Sequence, residues 1–186
     1  CITLHAPLRG RRDHAELVGL LANVDAALIA NEPMSALVLE QAPTLRAIVR
    51  SGVGYDSVDV ATATALGITV SNLPGINANA VAEYTLGLLL AAARGLVQSA
   101  DGVAAGGWPR HDGHELRGAT LGLVGFGATA RAVVPLARAF GMTVLCSTSI
   151  PTAELTAFAG VDFVEFDELL AHADYVSIHT ALTERT

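Results

Sequence analysis

The chain reads as an α/β protein built on two parallel sheets, and three observations carry that reading. Short apolar strands alternate with helices along its length, the pattern that forms parallel sheets through βα crossovers. Apolar residues make up 52% of the chain and charged residues only 16%, as expected when helices cover both faces of a buried sheet. Leu73-Pro74-Gly75 interrupts the alternation and marks a boundary between two blocks, residues 1–75 and 76–186. At 186 residues the chain has room for two small domains with sizeable cores.

The first block opens with a strand at residues 2–5. Asp13 starts a helix with Ala15, Leu17, Val18, Leu20 and Leu21 on one face. A strand at 26–30, a short helix at 35–41 and a strand at 47–50 follow, the last running into the turn Ser51-Gly52-Val53-Gly54. Residues 56–66 form a helix that Gly67 closes, and 68–71 a strand. Beyond the break, residues 80–94 form a long helix, apolar on nearly every side, which requires burial between domains or in a subunit interface. Gly95 ends it. Residues 98–118 are rich in glycine and polar residues, hold the one tryptophan, Trp108, and read as a loop or broken helix. The last elements are a helix at 167–172 and a strand at 175–179.

Between them lies the segment with the clearest chemical meaning. Leu121, Leu123 and Val124 form an apolar strand, Gly125 and Gly127 break it, and Val133, Val134, Leu136, Ala137 and Phe140 recur at helical spacing. A second strand spans 142–145. This is the opening βαβ half of a dinucleotide site, where glycines let the backbone approach a pyrophosphate at a helix N-terminus. The letters G-x-G-x-x-A alone also fit a tight turn that binds no nucleotide; a strand before and a helix after are the context the motif demands. The third glycine is replaced by Ala130. Thr148 stands where an acidic residue usually holds the adenosine ribose.

Several classes are set aside. The net charge of −7 argues against a nucleic-acid surface, because phosphates require clustered cations. Cys1 and Cys146 lie far apart without C-x-x-C spacing, against a disulfide framework or zinc site and in favour of a reducing compartment. His111 and His114 flank Asp112 and precede Glu115, but without a third firm ligand no metal is expected. The longest apolar run, 86–93, is far short of the about 20 residues that span a bilayer. No charged-then-apolar leader opens the chain. A cytoplasmic protein without a membrane partner is expected. The chain opens without an initiating Met and closes in a loop, so it is expected to be part of a longer protein.

Neighbouring segments sharpen the glycine turn. They are Arg50-Ser-Gly-Val-Gly-Tyr-Asp56 with Val58-Asp59, Gly67-Ile-Thr-Val-Ser-Asn72, Pro74-Gly-Ile-Asn77, Val81-Ala-Glu83, Gly107-Trp-Pro-Arg110 and Glu115-Leu-Arg-Gly118. Phe140-Gly-Met142 and the stretch from Leu169 to His179, running into Leu182-Thr183, complete the set. In this order and over nearly the whole chain, they resemble the D-isomer-specific 2-hydroxyacid dehydrogenases, especially the phosphoglycerate dehydrogenase-like branch.

The resemblance implies two Rossmann-like domains, a flavodoxin-like substrate domain and a dinucleotide-binding domain, both incomplete. It implies an NAD(P)-dependent oxidoreductase moving a hydride between nicotinamide and C2 of a small 2-hydroxy or 2-oxo acid of the 3-phosphoglycerate, hydroxypyruvate or glyoxylate type. Arg50, Ser51, Gly52, Val53 and Gly54 would face the substrate, where backbone N–H groups and a cation suit a small carboxylate. The plainer alternative is a strand end whose arginine pairs with Asp56 or Asp59. Asn77 would lie beside the cleft, or serve as a turn or cap for the long helix. Glu83 reads as a first-turn acid complementing the helix dipole.

Gly125, Gly127, Ala128, Thr129, Thr148, His179 and Thr180 would bind the cofactor, with Thr180 near the nicotinamide half and His179 lining the cleft. The catalytic arginine, glutamate and histidine of such enzymes would lie beyond Thr186, so the chain alone is expected to be inactive. Ala128 replaces a frequent arginine that reaches the pyrophosphate, and Ala130 adds a methyl where helix and strand approach closely. Thr148 removes the acid that repels a 2′-phosphate, which leaves NAD and NADP both open. An NAD(H)-sensing, corepressor-like binding protein on the same fold is the alternative function, and an α/β domain that binds no nucleotide a third. The long apolar helix implies a homodimer.

Overall fold

The computed structural model describes residues 13–150, 155, 158–182 and 186; the strand expected at 2–5, Cys1 and Thr183 lie outside them. The chain divides into two compact units, Cys1–Ile76 and Asn77–Thr186.

In the first unit, α1 (His14–Leu21), β1 (Ala26–Ile29), α2 (Ala36–Glu40), β2 (Ala47–Arg50), α3 (Val60–Ala65) and β3 (Thr69–Ser71) alternate as expected. The sheet runs β1-β2-β3, all parallel, with Ala27 beside Ile48 and Ile48 beside Val70. Strand geometry sends alternate residues to opposite faces. Ala27, Ile29 and Ile48 therefore pack with Leu17, Leu21, Met34, Val38, Leu39 and Ala63, while Leu28 stays 68% exposed and Val49 is also exposed. Among the described residues only one face of this sheet is covered, where burial of both was expected. Helix α3 also begins later than residue 56. Residues 57–59 are tied to Met34 instead, by Met34 N–H to Ser57 O and Asp59 N–H to Met34 O, both at 2.8 Å. The Asp59 carboxylate then caps α3 by accepting from the Thr62 N–H and hydroxyl.

The second unit holds α4 (Ala78–Arg94), α5 (Leu96–Ala104), β4 (Thr120–Val124), α6 (Ala128–Ala139), β5 (Thr143–Ser147), β6 (Asp162–Phe163), α7 (Phe166–His172) and β7 (Tyr175–Ile178). All its strands are parallel in the order β6-β5-β4-β7, so the chain steps outward twice from β4 and then returns to its other side. That reversal is the switch point where open α/β sheets bind ligands. Leu121, Leu123, Val144 and Cys146 meet α4 and α6 through Leu86, Leu89, Val133 and Ala137. On the opposite face Gly122 lets α7 close in: a Cβ there would lie 2.6 Å from Leu169 Cδ2.

Two elements of this unit depart from the sequence expectation. Residues 96–104 form helix α5, which runs into the stretch 98–118 read as a loop or broken helix and follows Gly95, whose φ of 59° turns the chain between the two helices. Strand β6 was not expected. Helix α4 is buried on one face only, through Ala82, Leu86, Leu89 and Ala93, while Tyr84 is 69% and Leu88 53% exposed. No single helix among the described residues is long and apolar enough to cross a membrane.

Candidate functional site

The second unit gathers its candidate residues where β4, β5 and β7 end. Gly125 continues from β4 with φ +92°, a conformation that disfavours side chains. Its N–H donates to Ser147 O at 2.8 Å, and the His179 N–H donates to Val124 O at 2.8 Å, joining the three strand ends. A Cβ on Gly125 would meet the His179 carbonyl and Thr180 Cγ2. Gly125, His179 and Thr180, singled out from sequence, therefore share one spot.

Gly127 differs. Its φ is −79°, and nothing lies within 4 Å of a Cβ placed on it, so here the glycine leaves space. No side chain caps α6. The N–H groups of Gly127, Ala128, Thr129 and Ala130 donate to nothing among the described residues, and only at Arg131 does the helical ladder begin, with N–H to Gly127 O at 3.1 Å. Four free donors at the positive end of a helix beside an open glycine form a cradle for an anion. The fit to a dinucleotide pyrophosphate rests on that cradle. The methyl of Ala130, expected to hinder close packing, is fully buried in the core and α6 packs with it in place.

At the tip of β5, Thr148 Oγ1 accepts from the Ile150 N–H at 3.3 Å, which leaves its own proton free to donate. His179 places Nε2 2.9 Å from Ser177 Oγ, and burial holds its pKa below the usual imidazole value, so it is a neutral group lining this end of the sheet. Cys146, one strand position before Ser147, is fully buried, and burial pushes its thiol up to about 12.

Residues missed from sequence support the turn from beneath. Phe126, between the two glycines, is 2% exposed and meets Phe158 and Phe163 edge-on, each at 5.0 Å between centroids. Arg131 lies over Phe126 and Phe158 at 5.4 and 4.6 Å and donates from Nε to Phe126 O at 3.1 Å. Only the run Gly-Phe-Gly hinted at this, since a large apolar residue in an otherwise small-residue turn must find a pocket.

In the first unit, the turn after β2 is tied down on both sides. Ser51 donates from N–H and hydroxyl to Ile29 O at 2.8 and 2.9 Å, Leu73 N–H to Gly52 O at 2.9 Å, and Asn72 Nδ2 to Val53 O at 2.7 Å. The N–H groups of Val53 and Gly54 donate to nothing among the described residues. Arg50 donates to Asn31 Oδ1 at 2.7 Å and is not paired with Asp56 or Asp59; its guanidinium lies where a Cβ on Gly52 would be. Its Nε is buried without a partner. Two free backbone donors and an incompletely satisfied arginine suit a small carboxylate.

Asn77 precedes α4, exposed, and its carbonyl accepts from the Val81 N–H at 3.0 Å. Its side chain makes no capping bond, so a capping role for that side chain is not supported. Glu83 lies in the second turn of α4, not the first, because the helix starts at Ala78. No group of three or more metal-ligating side chains occurs among the described residues.

Known proteins match both halves. The family profile described as D-isomer specific 2-hydroxyacid dehydrogenase, NAD binding domain, matches residues 86–186. A glyoxylate reductase of Korarchaeum cryptofilum is 39% identical over 164 residues, covering 85% of this chain and 49% of that protein. A D-3-phosphoglycerate dehydrogenase of Mycobacterium leprae is 37% identical, over 94% of this chain and 34% of its own length. The crystal structure of TT0316 protein from Thermus thermophilus superposes with a TM-score of 0.85 at 36% identity, over 99% of this chain and 58% of that one. The chain thus spans about half the length of the glyoxylate reductase or less of the longer relative. With the open-flanked glycine turn, the parallel β6-β5-β4-β7 sheet and a profile match running from within α4 to Thr186, the chain belongs to the D-isomer specific 2-hydroxyacid dehydrogenases and contains sequence of their NAD binding domain.

Proposed function

We propose that the whole protein is an NAD(P)-dependent oxidoreductase acting at C2 of a small 2-hydroxy or 2-oxo acid of the glyoxylate, hydroxypyruvate or 3-phosphoglycerate type. The observation that carries this is the cradle of unpaired N–H groups at Gly127 and the start of α6.

In this reading, residues 77–186 bind the cofactor and residues 1–76 contribute to binding the acid. The N–H groups of Gly127, Ala128, Thr129 and Ala130 take the pyrophosphate, donating charge-assisted hydrogen bonds that need no rearrangement. The Thr148 hydroxyl donates to the adenosine ribose or its phosphate. Gly125 lets the backbone turn, and His179 and Thr180 line the side towards the nicotinamide. The bound nicotinamide supplies or accepts the hydride. Arg50 and the N–H groups of Val53 and Gly54 hold the substrate carboxylate and so orient C2. Burial keeps His179 neutral, in keeping with a lining role. The proton-transfer groups belong to chain beyond Thr186, and the 186 residues alone are inactive.

The exposed apolar stripe of α4, with Tyr84 and Leu88, supports a homodimer formed through that helix, since a stripe of this kind is costly to leave in water. A cytoplasmic setting fits a free, buried Cys146.

The test is turnover by the full-length protein with NADH and NADPH against glyoxylate and hydroxypyruvate. Saturable cofactor oxidation is expected with at least one pair. Tight cofactor binding without turnover on any such acid would sink the enzyme reading and favour a cofactor-sensing protein.

A further inference from the structure

We propose that Arg131 is a positioning residue for the pyrophosphate subsite: its grip on the Phe126 carbonyl aims the Gly127 N–H at the ligand. This rests on the cofactor reading of the glycine turn.

The bond runs from Arg131 Nε to Phe126 O at 3.1 Å. All described peptide bonds are trans, and in a trans peptide C=O and N–H point in opposite directions. Holding the Phe126 carbonyl against the helix therefore turns the Gly127 N–H away from Arg131, and that N–H has no partner among the described residues. The flank of Gly127 is open, so a ligand could approach there. A free Phe126–Gly127 peptide would rotate readily, because the glycine on its C-terminal side imposes little torsional restraint.

Two further features fit a lock. Arg131 stands at the start of α6, where a cation opposes the helix dipole, so its place needs a local partner. The Phe126 carbonyl provides one, and the faces of Phe126 and Phe158 provide another, at 5.4 and 4.6 Å, within cation–π range. Phe126 is in turn fixed edge-on by Phe158 and Phe163. Ala128 offers no side-chain charge to an anion, so the subsite depends on backbone donors and on whatever fixes their direction.

The experiment compares the full-length protein with Arg131→Met, which keeps the apolar stem, and Arg131→Lys, which keeps a donor. Binding of ADP is followed by displacement of NADH fluorescence, binding of adenosine by saturation-transfer NMR, and folding by thermal melts. For Arg131→Met, ADP affinity is expected to fall about tenfold, the scale of one well-placed hydrogen bond, while adenosine affinity is unchanged; Arg131→Lys recovers part of the loss. Equal weakening of ADP and adenosine, or unchanged ADP affinity in Arg131→Met, overturns the lock. Wild-type protein that binds neither ADP nor NADH overturns the cofactor reading itself, and the lock with it.

Discussion

A methyl group on Gly125 would lie 2.7 Å from the carbonyl oxygen of His179, so the glycine turn and the end of β7 are in direct contact. Gly127, two residues on, faces open space. The two glycines serve different ends, and alanine substitution separates them. Gly125→Ala combines a φ of +92° with that clash and is expected to destabilise the fold by about 2 kcal/mol or more. Gly127→Ala, at an ordinary φ, is expected to change stability by no more than about 0.5 kcal/mol yet to weaken NADH binding about tenfold. Urea denaturation and fluorescence titration check the pair; equal stability loss in both variants would show that the distinction is wrong.

In the proposed cofactor site Thr148 stands at the adenosine ribose, where a side chain would tell NAD from NADP. Thr148→Asp places a carboxylate where the adenosine ribose is held, accepting from a 2′-hydroxyl and repelling a 2′-phosphate. The ratio of NADH to NADPH affinity is expected to rise at least about tenfold. Titration of both cofactors on the full-length protein measures it, and an unchanged ratio would remove Thr148 from the site.

The exposed face of α4 makes a prediction about assembly. Leu88, 53% exposed, lies on the stripe proposed as the dimer interface. Leu88→Glu is expected to cost the dimer about 2 kcal/mol or more per interface while leaving the circular dichroism spectrum intact. Light scattering over a dilution series should then show monomer where the parent is dimeric; a dimer of unchanged affinity would place the interface elsewhere.

Cys146 sets a pH limit. Burial raises its thiol from an ordinary 9.0 to about 12. Below pH 9 it is protonated both folded and unfolded, and its contribution to stability is complete. Between 9 and 12 the unfolded chain releases the proton and the folded one keeps it, so stability falls as pH rises. Urea midpoints from pH 8 to 11 should fall more steeply for the parent than for Cys146→Ala. The native thiol should also resist iodoacetamide at pH 8, because the thiolate is the reactive form.

The sheets and their helices were legible where periodicity is local. Strand β4, the glycine turn and α6 follow from Leu121 to Ala137 almost residue by residue, and β2 matches at both ends. Elements set by distant partners were not. The start of α3 depends on Met34, two residues before α2, which claims residues 57–59 for a bridge and leaves Asp59, not Asp56, to cap. Helix α5 buries none of its residues, so its apolar pattern has no core to report. Strand β6 is two residues long and exists through its register with β5. The hold of Phe126 and Arg131 on the turn needs Phe158 and Phe163, roughly 30 positions away in sequence, and no local pattern connects them.

Gly122 has a wider reach than its size implies. Because it carries no side chain, Leu169 of α7 and Ala173 just beyond that helix rest almost on the backbone of β4. The residue after Ala173 is Asp174, whose carboxylate accepts from the Thr120 N–H and whose own N–H donates to Thr120 O, at 2.8 and 2.9 Å. These two bonds set the point at which β7 enters the sheet, and β7 leads directly into His179 and Thr180. A bulkier residue at 122 would lift α7 and pull on that entry point, transmitting the displacement along four residues of strand to the far end of the sheet. The centre of β4 thus acts as the fulcrum of a short lever for the end of the sheet that carries the candidate site.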